Sequence, residues 1–116
     1  MKRIIFTLLF LFALPAQAYQ YDFLKDAPVY YFSNQDLKMY SAAGEKALDK
    51  TKDGATVSWR NPTSGSFGTI TPVATTHKKD LTCRTLKIVN NAKSRRESSS
   101  ITLCRYPAGW KIPSNG

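Results

Sequence analysis

Cys83 and Cys104 constrain this chain more than any other feature. They bracket a polar, basic stretch, Asn91–Arg96, that falls midway between them. Before it, Leu81, Cys83, Thr85, Lys87 and Val89 share one face, and Thr82, Arg84, Leu86 and Ile88 share the other. A second strand pattern, Ser98–Tyr106, follows, so the pair reads as a β-hairpin. With the turn centred near position 93 or 94, Cys83 falls opposite Cys104, and a disulfide across neighbouring antiparallel strands follows. The bond would close a loop of about 22 residues, worth on the order of 3 kcal/mol in the chain-entropy view. A zinc site is the weaker reading: the chain has 1 His, His77, and no C-x-x-C spacing. No metal and no cofactor is expected.

The N-terminus supplies the oxidising compartment that such a bond needs. Lys2 and Arg3 precede the apolar run Ile4–Leu14, Pro15 breaks it, and Ala16-Gln17-Ala18 offers the small residues of a cleavage site. This pattern predicts a secretory signal peptide over 1–18, cut before Tyr19. The run is well short of the roughly 20 residues that span a bilayer, so the mature chain carries no transmembrane segment. No Cys stands at the cleavage site, so no lipid attachment is expected there. Formal net charge is +9, hence about +7 once Lys2 and Arg3 are removed. A small basic exported domain points to anionic partners, although charge alone also keeps such a domain soluble.

Between leader and hairpin the chain changes period twice. Residues 19–33 form an aromatic-rich arm with Tyr19, Tyr21, Phe23, Tyr30, Tyr31 and Phe32, interrupted by Pro28. Ser33 and Asp36 have capping-box spacing, and Leu37, Tyr40, Ala43 and Ala47/Leu48 recur at helical spacing behind them. The spacing predicts a helix over 34–50. From Val57 and Trp59 onward the period is two. Strands are predicted near 56–60, 67–76, 81–90 and 98–106, with turns at Asn61–Gly65, His77–Asp80 and Pro107–Gly109. Pro72 inside the second strand requires an edge position or a bulge. The fold class is therefore α+β over 34–112: one N-terminal helix packed on a four-stranded antiparallel meander, with one disulfide and a frayed tail at 113–116.

Chemistry is sparse. His77 sits beside two lysines in an expected exposed turn. No G-x-S-x-G elbow surrounds Ser58, Ser64 or Ser66. The Asp22/Asp26 and Asp49/Asp53 pairs have i,i+4 spacing, the second where a helix ends and solvation is expected. The stretch Asn61-Pro62-Thr63-Ser64-Gly65-Ser66 has the composition of an anion-gripping loop. A phosphate loop, however, needs a helix after it, and Phe67–Thr71 reads as strand. It is therefore read as a turn, and Trp59 as a core aromatic. Nucleic acid is an unlikely partner for an exported chain without an RNP-type motif.

Taken together, Ala47, Leu48, Asp53, Gly54, Val57, Trp59, Asn61, Pro62 and Gly65, followed by Cys83-Arg84, Cys104-Arg105 and Gly109-Trp110, resemble the bacterial outer-membrane surface antigen family, the relatives of the rickettsial surface antigen. The resemblance covers about residues 47–110 and implies an exported, non-catalytic envelope domain with no catalytic residue to carry over. Many relatives resemble lipoproteins with a Gly-rich segment ahead of this domain. This chain shows neither feature, which favours a periplasmic or secreted location, with outer-membrane association an alternative.

The expected function is a binding or structural domain that contacts an envelope protein or an anionic glycan or lipid. The candidate binding residues are Arg60, Arg84, Arg95, Arg96 and Arg105. Arg84 and Arg105 each follow a Cys, so both lie on the face opposite the disulfide. They form a paired cationic site if that face is open and are structural if the helix covers it. A secreted or periplasmic inhibitor inserting the Ala92–Ser99 loop into another enzyme is the alternative. A hydrolase would need His77 brought near a carboxylate and a Ser.

Overall fold

The computed structural model describes residues 27–113. The leader, residues 19–26 of the aromatic arm with the Asp22/Asp26 pair, and residues 114–116 of the tail lie outside them. A 3-10 turn, Pro28–Tyr31, leads into helix α1, Asn34–Lys50. Its start is fixed by the capping box. The Asp36 N–H donates to Ser33 Oγ at 3.0 Å, and the Ser33 N–H donates to Asp36 Oδ2 at 2.9 Å. Two of the orphan donors of the first turn are thereby satisfied.

One helix position differs from the sequence reading. Leu37 is 41% exposed, and Asp36 is the residue turned inward. The buried stripe is Asp36, Ala43 and Ala47 with Leu48, flanked by half-buried Tyr40. Its small members let α1 lie close to the sheet.

Strands β1 (Val57–Arg60), β2 (Phe67–Lys78), β3 (Leu81–Ala92), β4 (Arg95–Tyr106) and β5 (Gly109–Lys111) form one antiparallel sheet in the order β1-β2-β3-β4-β5. The meander therefore has five strands, not four. The fifth escaped the sequence because it is three residues long and carries no alternation. What holds it is a two-residue turn after Tyr106 and the Trp110 indole, whose N–H reaches Asp49 Oδ1 at 2.8 Å.

Two turns are also tighter than expected. Only Lys79-Asp80 and Lys93-Ser94 lie outside the ladders, all four with positive φ (49°, 65°, 52° and 63°). That is the mirror-image turn geometry which suits the twist of paired strands. His77 is consequently a strand residue, with Nδ1 3.0 Å from Thr82 Oγ1. The Lys93-Ser94 turn places Cys83 directly opposite Cys104, and the two are disulfide-bonded. Pro72 sits in an inner strand and is accommodated by a bulge: the register slips between Pro72 and Ala74.

Ile70, Leu86, Ile88, Val57 and Trp59 from the sheet meet Ala43, Ala47 and Leu48 from α1. Phe32 and Tyr40 close the Trp59 end, with ring centroids 5.2 and 6.2 Å from the indole. Trp59 lies across Gly68. A Cβ added there would come within 2.6 Å of the Val89 carbonyl oxygen and 2.7 Å of Trp59 Nε1. Trp59 is thus 6% exposed and a core residue.

Candidate functional site

The structure divides the five candidate arginines between the two ends of the sheet. Arg84 and Arg105 lie on the face that α1 covers. Helix α1 ends at Thr51 in extended conformation, with no glycine to fold the last carbonyls back. Arg84 takes that role. Its Nη1 donates to the carbonyls of Ala47 (2.9 Å) and Leu48 (2.8 Å). Its Nη2 donates to the Thr51 carbonyl (2.7 Å) and to Asp53 Oδ1 (2.8 Å), and its Nε donates to Thr75 Oγ1 (2.9 Å). All five donors of the guanidinium fork are occupied inside the protein. Arg84 is therefore a clamp on the helix C-terminus and has no donor left for a ligand.

Asp53 is drawn into the same network. The Arg84 hydrogen bond, helped by Thr75, holds its carboxyl below the usual range. Arg105, more exposed, pairs with Asp49 at 3.2 Å beside Trp110. Both members of the Asp49/Asp53 pair, expected to be simply solvated, thus have arginine partners.

The Asn61–Gly65 segment does grip an anion, and the anion is the protein's own. Asn61 Nδ2 and Ser64 Oγ each donate to Asp36 Oδ1 at 2.7 Å. Backbone bonds Gly65 N–H to Asn61 O (2.8 Å) and Asn61 N–H to Ser66 O (2.9 Å) close the turn. Burial pushes the Asp36 carboxyl up, but the bonds from Ser64, the Ser33 N–H and Asn61 outweigh it and hold its pKa at about 2. The turn and the helix start are therefore one hydrogen-bonded unit. The sequence reading saw the capping box and the turn separately, because residues 25 positions apart give no local signal of meeting.

Beside this turn, at the end of the sheet away from Arg84 and Arg105, Arg60, Phe67, Asn91 and Arg96 stand in one row across four strands. The row lies on the face that neither α1 nor the 3-10 turn covers. The Arg60 guanidinium lies 4.5 Å over the Phe67 ring. Arg95, one residue from Arg96 and on the helix side, stacks 4.4 Å over Tyr31. A cleft of about 330 Å³ is lined by Gly65, Phe67, Asn91, Lys93, Arg95 and Arg96. A second, of about 260 Å³, meets Phe67 beside Ser58, Arg60 and Thr69. Among the described residues, neither Arg60 nor Arg96 forms an ion pair. Sequence reasoning named the arginines of this end but did not place Phe67, Asn91 or Lys93 beside them. Their only signal is register, which depends on the two-residue length of the Lys93-Ser94 turn.

The described residues contain no cluster of His, Cys, Asp and Glu side chains able to hold a metal, and none of their helices is long and apolar enough to cross a membrane. The family model for the 17 kDa outer membrane surface antigen matches residues 46–111, the span from the end of α1 through β5. The chain belongs to this surface antigen family. It is 31% identical over 80 residues to a 17 kDa surface antigen of Rickettsia bellii, 32% over 82 residues to that of Rickettsia felis and 30% over 82 residues to that of Rickettsia rickettsii. Each match covers 67% of this chain and 50% of the relative, so the chain spans about half the length of the curated relatives it matches. No solved structure matches. The matched span contains both the Arg84 clamp and the Arg60–Arg96 row.

Proposed function

We propose that this surface antigen family member is an exported, non-catalytic binding domain of the cell envelope, and that it engages an anionic envelope component through the Arg60–Phe67–Asn91–Arg96 end of its sheet. One observation carries this reading. Of the arginines singled out by the sequence, Arg84 has every donor occupied in holding the fold, whereas Arg60 and Arg96 stand exposed in one row beside a cleft, paired with no carboxylate among the described residues. The relatives are named surface antigens and the family is described as an outer membrane surface antigen, which supports an envelope role, and the leader expected over 1–18 fits export. The inhibitor reading loses its inserting loop. The segment expected to enter another enzyme is a two-residue turn between ladder-paired strands.

The test is fractionation of cells expressing the full chain and an Arg60→Gln/Arg96→Gln variant, with the processed N-terminus read by mass spectrometry. The parent should lose its leader and remain in a low-salt envelope fraction. The variant should be processed equally and appear in the soluble fraction. A parent that stays unprocessed in the cytoplasm, or a variant retained as well as the parent, contradicts the reading.

A further inference from the structure

The sheet register sorts charge between its two faces. On the uncovered face, the row Arg60–Phe67–Asn91–Arg96 is followed by Ser58–Thr69–Val89–Ser98 and then by Thr71–Lys87–Ser100. The disulfide and Lys111 close the far end. Apart from Cys104, these side chains are exposed or half-buried, and none is acidic. The carboxylates among the described residues lie elsewhere. Asp36, Glu45, Asp49 and Asp53 belong to α1 and its exit, Glu97 faces the helix side opposite Asn90, and Asp80 is in the β2–β3 turn. Among the described residues, Arg60, Lys87, Arg96 and Lys111 therefore share a surface without carboxylates, in which hydroxyl side chains predominate.

We propose that this whole face is a membrane-adsorbing surface that lies on the phosphate headgroups of an anionic lipid bilayer. The proposal rests on the envelope reading above and names the partner of the same site, enlarged from one end of the sheet to the full face.

Spacing favours a bilayer over a single anion. Four residues along β3 separate Asn91 from Lys87, and four more separate Lys87 from Cys83. At roughly 3.3 Å per residue the cationic rows stand about 13 Å apart, too far for one phosphate to bridge. A surface of headgroups meets all the rows at once. Shape favours a bilayer over a polyanionic chain: among the described residues, the two clefts that meet this face both lie at its Phe67 end, not along the rows. The mode of binding follows from side-chain length. Most residues between the cations are short hydroxyls, Phe67 lies under Arg60, and Val73, 48% exposed in the β2 bulge, is too short to reach far among acyl chains. Adsorption is therefore electrostatic and reversible, each cation near the surface contributing about a fivefold factor in affinity.

The experiment is co-sedimentation of the processed chain, as recovered from the exporting cell, with phosphatidylcholine vesicles containing or lacking phosphatidylglycerol. Binding is expected only with phosphatidylglycerol, and salt raised to about 0.5 M should release it as the Debye length shrinks. Arg60→Gln/Lys87→Gln/Arg96→Gln should weaken binding about a hundredfold. Lys38→Gln/Lys46→Gln/Lys50→Gln removes the same charge from α1 and should cost only a few-fold. Unfolding midpoints equal to the parent's qualify both variants, and Lys87→Gln alone replaces a triple that fails. Equal binding to both vesicle types, or equal loss in both triples, overturns the proposal. So does binding to a soluble phosphorylated polysaccharide that is tighter than to vesicles at matched phosphate, which would make a glycan the partner. Envelope retention without vesicle binding overturns this proposal alone, while loss of both overturns the envelope reading as well.

Discussion

Asp36 shows how much a single side chain settles here. Its carboxylate caps α1, anchors the Asn61–Gly65 turn and is fully buried. Asp36→Ala removes the cap and leaves Asn61 Nδ2 and Ser64 Oγ without their acceptor. A loss of about 2–4 kcal/mol in denaturant unfolding is expected. The same residue gives the fold an acid limit. Its folded pKa of about 2 is below the ordinary 3.8, so the native state binds the proton more weakly than the unfolded chain. The stabilisation, on the order of 2 kcal/mol, is complete well above pH 3.8 and is lost as pH falls through about 2. Asp53 shifts in the same direction and adds to the trend. In Asp36→Asn, the unfolding midpoint should vary less with pH over that window than it does in the parent. The sequence disclosed the cap, because Ser33 and Asp36 are three residues apart. It did not disclose what else Asp36 holds, because that partner arrives from across the fold.

At the scale of elements, the local patterns were legible wherever a period had room to repeat. Helix α1 matches its predicted span of 34–50, and β1 and the start of β2 lie where the alternation placed them. The Cys83–Cys104 register follows from the turn centre. What failed was short or lacked a sequence signature. Strand β5 has only three residues. The Lys79-Asp80 and Lys93-Ser94 turns adopt positive φ without the Asn-Gly composition that announces it. That mismatch is a reserve of stability. Lys79→Asn/Asp80→Gly should raise stability by about 0.5–1 kcal/mol, read as a higher thermal midpoint. Removing the disulfide acts in the opposite direction. Cys83→Ser/Cys104→Ser should lower unfolding free energy by about 3 kcal/mol, because the unfolded chain regains the closed loop.

Across the whole molecule, the arginines divide by role, and the division follows the sheet's two faces. The sequence named five of them and placed Arg84 and Arg105 opposite the disulfide, but it could not say which face the helix covers. That choice depends on how Ala43, Ala47 and Leu48 of α1 meet Ile70, Leu86 and Ile88 in three dimensions. Once α1 is in place, Arg84 becomes the helix clamp, and among the described residues no helix covers the Arg60–Arg96 row. Thermal unfolding of Arg84→Gln and of Arg60→Gln/Arg96→Gln, run beside the parent under the same buffer conditions, tests this division most directly. Arg84→Gln should lose about 3 kcal/mol, because helix carbonyls and Asp53 are left without their donor. The double variant should keep the parent midpoint, since among the described residues the only hold these side chains have on the fold is the Arg60–Phe67 contact. An unchanged midpoint for Arg84→Gln, or a large loss for Arg60→Gln/Arg96→Gln, would contradict the account.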